Sequence, residues 1–255
     1  MKRVLHIADP HLRSDNCASM AGWRQVAAFV QAAPPALLIN TGDLVFDEPN
    51  DRSDQRLAGD CQRSLGVEVL SLPGNHDIGD GPPREDGPSE SLLDAFRAEH
   101  GEPHWVRVLD EWALVGVNAM LFGAGASSEA AEWAWLEAAL AAQQGRPVAL
   151  FMHKPPLLIS PSEDVAGSAA MPAAARGRLW SLVRRHGVSL VGCGHRHEYR
   201  SILLDGVVVV WAPTTSGLLD ETTPPLPPHA YPGLVEYAFE GRSVVFRPIV
   251  FEAPR

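Results

Sequence analysis

The chain has 255 residues, and 21 lysines and arginines against 31 aspartates and glutamates leave a formal net charge of −10. Hydrophobic residues at 45% and a mean hydropathy near zero exclude a disordered chain and give ample material for a buried core. No apolar run approaches the roughly 20 residues of a spanning helix, and the acidic balance counts against broad nucleic-acid binding. The basic start is followed by too short an apolar stretch for a secretory signal. Cys17, Cys61 and Cys193 are too scattered for a disulfide framework or a cysteine-rich zinc site. Both features place the chain in a reducing, cytoplasmic compartment.

The first predicted strand is 4–8, the second 36–40 and the third 67–72; 148–152 and 188–191 follow. Short, β-branched and bounded by Gly or Pro, they read as strands buried on both faces. Residues 128–144 read as a helix with Trp133, Leu136 and Leu140 on one face, Ser128 as cap and Glu129 and Glu132 in the first turn. Residues 173–186 read as another, with Leu179, Leu182 and Val183 as its stripe and Gly187 as stop signal. Beyond His197 the strands 201–204, 207–211, 235–239 and 244–249 are joined by tight turns at Asp205-Gly206 and Glu240-Gly241. Alternating strands and helices predict an α/β fold with parallel pairing and mixed sheets, in one domain spanning 1–255. Two loops, 79–88 and the proline-rich 213–232, are surface connections or a substrate-shaping rim.

The residues just beyond the strands carry the chemistry. Asp9-Pro10-His11 follows the first, Thr41-Gly42-Asp43 the second and Pro73-Gly74-Asn75-His76-Asp77 the third. His153 follows the fourth, and Gly194-His195-Arg196-His197 the fifth. In α/β sheets functional groups gather beyond the carboxyl ends of parallel strands. Strand ends that deliver oxygen and imidazole donors without thiolates form a metal-site pattern. Gly42, Gly74 and Gly194 permit turns that aim the next side chain inward.

The ordered series Asp9-x-His11, Gly42-Asp43, Gly74-Asn75-His76-Asp77, His153 and Gly194-His195-x-His197 resembles the calcineurin-like metallophosphoesterase superfamily. Trp135-Leu136-Glu137, His153-Lys154-Pro155-Pro156 and Pro232-Gly233 are similar to its class III branch of cyclic-nucleotide and glycerophosphodiester phosphodiesterases. The resemblance implies a four-layer α/β/β/α sandwich with two mixed sheets and a two-metal site. Asp9, His11 and His197 would hold the first ion, Asn75, His153 and His195 the second, and Asp43 would bridge them together with a hydroxide. His76 would assist the leaving group, and Asp77 would orient His76. Such N/O sites take Mn, Fe, Zn or Co, as divalent or mixed-valence pairs.

In many relatives a second His follows the one aligned with His153, and here Lys154 stands there, as a cation near the phosphate or as a solvated side chain. Arg13 and Arg196 lie beside proposed ligands, where either could meet the phosphate or substrate or face away, and facing away is the favoured reading. The purple acid phosphatase branch is disfavoured, since Leu44, Val45 and Phe46 stand where its ligand Tyr would be. His6 is a core or interlayer residue, Cys193 a small buried thiol, and Trp133 and Trp135 serve helix packing and rim. His186 suits a helix end, while His100, His104 and His229 have no partner visible in the sequence.

The expected activity is hydrolysis of a small phosphodiester, with a phosphomonoesterase as the rival. A nuclease, a membrane-lipid phosphoesterase or a catalytically silent scaffold fits less well. Two bound divalent ions would add about +4 at one spot, so a globally acidic protein can still present a locally positive pocket. The sequence leaves homo-oligomerisation open.

Overall fold

The computed structural model describes residues 1–15, 17–46, 52–80, 87–164, 169–216 and 231–252. Most of the 79–88 loop and of the proline-rich 213–232 stretch, including His229, lies outside these residues. Two mixed sheets stack face to face. The first has the order β11-β10-β1-β2-β3, built from β1 (Lys2–Ile7), β2 (Leu37–Asn40), β3 (Val69–Ser71), β10 (Gly233–Glu240) and β11 (Ser243–Val250). The second runs β4-β5-β6-β7-β9-β8, from β4 (Trp105–Leu109), β5 (Trp112–Gly116), β6 (Val148–Met152), β7 (Val188–Cys193), β8 (Arg200–Leu204) and β9 (Val207–Trp211). β1, β2 and β3 pair in parallel, as do β5, β6, β7 and β9, whereas β4, β8, β10 and β11 pair antiparallel.

Three apolar clusters define the layers. Leu5, Ile7 and Leu38 pack outward with Trp23, Val26 and Val30 of α1 (Cys17–Ala32), Ala58 of α2 (Arg52–Ser64) and Phe96 of α4 (Glu90–His100). Val4, Ile39, Phe151, Val210 and Tyr237 fill the space between the sheets. Val115, Leu150 and Val191 pack on the other side with Trp133 and Leu136 of α5 (Glu129–Ala141) and Leu179 and Val183 of α6 (Ala173–Arg185). The result is the expected α/β/β/α sandwich. It follows from strands whose successive side chains are apolar on both faces, so that each sheet needs a cover on either side.

Differences from the expected elements are local. β4, β5, α1, α2, α4 and the short α3 (Asn75–Ile78) are additional elements. Ser128 precedes α5 without capping it through its side chain. His6 lies fully buried between the sheets, edge-on to Phe151 with ring centroids 5.4 Å apart, as expected of an interlayer residue.

Candidate metal centre

The loops that leave β1 and β2 continue the ladder past the strand ends. The Asp9 N–H donates to the Gly42 carbonyl and the His11 N–H to the Asp43 carbonyl, each at 3.0 Å. Within this frame the backbone twists out of the extended region. Seven non-glycine residues among those described have positive φ, and five of them are Asp9, His11, Asp43, His195 and His197. Each left-handed non-glycine residue costs of order 1–3 kcal/mol and survives only where its surroundings impose it. The strain is spent on turning five polar side chains into one space.

Two clusters result. Asp9, His11, Asp43 and His197 offer donor atoms within 4.8 Å of one another, and so do Asp43, His153 and His195. Asp43 belongs to both. His11 Nε2 stands 3.0 Å from His197 Nε2, and His197 Nε2 3.4 Å from Asp9 Oδ1. In the second cluster His153 Nε2 faces Asn75 Oδ1 at 3.0 Å, His195 Nδ1 at 3.2 Å and Asp43 Oδ2 at 3.3 Å. The His153 Nδ1–H donates to the Thr41 carbonyl at 2.9 Å, so Nε2 is the ring atom that faces these neighbours and, once deprotonated, offers them its lone pair. Lone pairs converging on lone pairs repel unless a proton or a metal cation lies between them. The donor set, carboxylate, amide oxygen and imidazole, suits a borderline divalent ion, so the residues fit a two-metal site.

The electrostatics agree. Burial opposes a charge on Asp43, but the imidazoles of His153 and His76 hold its carboxyl well below the usual range. Burial likewise depresses His153, and the Asp43 carboxylate overrides it, lifting the imidazole to about 9. Burial keeps His11 well below its ordinary value, whereas the Asp9 carboxylate raises His197 against the same effect. A group at about 9 is protonated at pH 7 and must lose its proton to become a ligand. Divalent-ion binding to the metal-free protein near pH 7 is therefore expected to release a proton, and affinity to rise with pH up to about 9. Calorimetry in two buffers of different ionisation enthalpy checks this; identical heats would contradict it.

His76 lies beside the first cluster, its ring 4.8 Å from that of His11. Its backbone N–H donates to Asp43 Oδ1 at 2.9 Å, and its Nδ1 meets the Phe46 carbonyl at 2.5 Å. The expected orienter, Asp77, does not perform that task. Its buried carboxylate accepts the backbone N–H groups of Gly74 at 2.8 Å, Leu44 at 2.9 Å and Val45 at 3.3 Å, fastening the loop after β3 to the loop after β2. An Asp two residues into a one-turn helix satisfies orphan N–H donors more readily than it reaches its neighbour's ring. Burial and the Asp43 charge push it up to about 7.

The surroundings hold groups that the sequence did not single out. The Asp9 carboxylate accepts the His195 N–H at 3.0 Å, the Asp9 carbonyl accepts Thr214 Oγ1 at 2.7 Å, and Thr41 Oγ1 meets His6 Nε2 at 2.9 Å. Only the position of Thr41 and Thr214 next to strand ends could have flagged them. Lys154 is neither solvated nor aimed at a ligand, but paired with Asp80, with both side chains buried. Arg13 pairs with Asp15 at 2.7 Å. His104, without a partner visible in the sequence, has its Nδ1 2.8 Å from Glu132 Oε2 and its ring stacked on Trp135, and His100 meets Gln55 at 2.8 Å.

Fold and site together define a class, the α/β/β/α sandwiches that gather carboxylate, amide and imidazole donors at their strand ends. The profile of the calcineurin-like phosphoesterase family matches residues 2–199, and the chain belongs to that family. Among its relatives is the "Probable glycerophosphodiester phosphodiesterase GpdQ" of Arcobacter nitrofigilis, 27% identical over 188 residues, 71% of this chain but 64% of that protein. The chain thus matches less than two-thirds of that relative's length. The glycerophosphodiester phosphodiesterase GpdQ of Enterobacter lignolyticus is 28% identical over 222 residues, 76% of this chain and 70% of its own length. A solved dimetal phosphatase from Danio rerio shares the fold, with a TM-score of 0.69 at 16% identity over 97% of this chain and 95% of that one.

Proposed function

We propose that the chain, as one cytoplasmic domain over residues 1–255, hydrolyses a small phosphodiester at a binuclear centre. Asp9, His11 and His197 hold one ion, Asn75, His153 and His195 the other, and Asp43 both. The observation that carries this reading is the sharing of Asp43 by two clusters of oxygen and imidazole donor atoms, with His76 alongside. When bound, a pair of Mn, Fe, Zn or Co ions supplies Lewis-acid polarisation of the phosphoryl oxygens and a hydroxide nucleophile near neutral pH.

The chain's own residues do the rest. Asp77 and the Asp43 carboxylate hold the loop that carries Asn75 and His76 by its backbone N–H groups. The Phe46 carbonyl accepts a hydrogen bond from His76 Nδ1–H, so Nε2 is the ring atom left to meet the leaving-group oxygen. From there His76 delivers a proton, or stabilises developing negative charge, as the ester bond breaks. Two relatives named as phosphodiesterases support a diester over a monoester. No helix among the described residues is long and apolar enough to cross a membrane.

The test strips the protein of metal, reloads it with Mn(II) and compares paired aryl diester and monoester substrates. The diester is expected to be cut faster. His76→Ala is expected to lower turnover about 10²–10⁴-fold, the usual worth of a positioned acid or base, with metal content unchanged. A diester left uncut by the reloaded protein, or full turnover without His76, would overturn the reading.

A further inference from the structure

We propose that the buried ion pair between Lys154 and Asp80 positions the second metal cluster by setting the distance between Asn75 and His153. The inference rests on the two-metal reading above and assigns a role to two residues outside the ligand set. Lys154 is 5% exposed and Asp80 2%. Withdrawing two charges from water costs more than burying an apolar pair of similar volume, so such a pair is a poor device for stability alone. Its location suggests what it does instead.

Lys154 directly follows His153 at the end of β6, in the second sheet. Asp80 lies just past α3, the turn that begins with Asn75 at the end of β3, in the first sheet. Between them stands Gly79, with φ +91°, whose N–H closes α3 on the Asn75 carbonyl. The same two loops therefore meet twice, once through His153 Nε2 and Asn75 Oδ1 at 3.0 Å and once through the ion pair. β3 and β6 belong to different sheets, so no ladder of backbone bonds fixes their separation. The loops after β1 and β2, by contrast, are locked by direct main-chain bonds. Ala119, Met120, Phe122 and Pro172 wall the pair. A fixed charge pair between two loops that no backbone ladder joins is a spacer, and what it spaces is two ligands of one ion.

The test is a calorimetric titration of metal-free protein with Mn(II), which counts ions and ranks their affinities without using turnover. Wild type is expected to take two ions. In the double variant K154M/D80L, which leaves no buried charge unpaired, one ion is expected to bind as before and the other about 10–100-fold more weakly, the usual effect of losing a group that orients a ligand. K154R, which keeps the charge, is expected to retain both ions. Thermal unfolding of the metal-free proteins tests folding separately. Two ions bound with wild-type affinities in K154M/D80L, or both weakened to the same degree, would overturn the positioning role. Fewer than two ions in wild type would overturn the two-metal reading itself.

Discussion

Asp43→Asn is expected to abolish the paired centre. The substitution preserves shape and leaves an amide oxygen to accept the His76 N–H, which Asp43 Oδ1 now takes at 2.9 Å. It removes the negative charge that both clusters share and replaces one carboxylate oxygen by a donor. Since Asp43 Oδ2 lies 3.8 Å from His11 Nε2 and 3.3 Å from His153 Nε2, that donor would stand against ligands of both ions. We expect at most one ion per chain after dialysis and turnover lower by at least about 10³-fold, given that a single positioned electrostatic stabiliser is worth 10²–10³. Metal analysis and a diesterase assay check this together. Two retained ions with near-normal turnover would show that Asp43 does not bridge.

Gly74→Ala is the second substitution with a large expected effect, and it acts through space alone. A Cβ at Gly74 would lie 2.1 Å from Asp43 Oδ1 and 2.4 Å from the Asp43 backbone nitrogen. Neither atom is the loose end of a flexible chain, so the loop after β3 must retreat from the loop after β2. Overpacking of this kind costs about 1–3 kcal/mol, and displacing reacting groups by about 1 Å costs on the order of 10² in rate. We expect a lower midpoint of thermal unfolding for the metal-free protein and a fall in turnover of at least that factor. Gly177→Ala is the control: in α6 its Cβ meets nothing within 4 Å, and alanine favours an exposed helix by up to about 1 kcal/mol. Equal melting and turnover in the Gly74 variant would mean that the close approach is not needed.

The ligand series was legible because each proposed ligand directly follows an apolar strand, and strands of this kind announce themselves locally. The elements that escaped notice lack that signal. The five residues of β4 are exposed or half-buried, and α2 is so polar that its buried face carries Asp54, Gln55 and Gln62 beside Ala58 and Gly59. The role of Asp77 was misjudged because a carboxylate's partners in a one-turn helix are backbone groups of another loop, and no spacing in the sequence records them. Lys154 and Asp80 are 74 positions apart and pair only because the two sheets stack. Pattern along the chain reveals which side chains face inward at a strand end. Which distant loop they meet is decided by packing.

Each cluster draws on both sheets. Asp9, His11, Asp43 and Asn75 come from the carboxyl ends of strands in the first, and His153, His195 and His197 from those in the second. The greasy seam of Phe151, Val210 and Tyr237 between the sheets therefore works as a calibration surface. A methyl group lost or gained there would shift the candidate ligands of one sheet relative to those of the other. Close-packed interiors transmit such displacements instead of absorbing them. In this architecture the spacing of the candidate ligands is a gauge of how well the hydrophobic interior has been assembled.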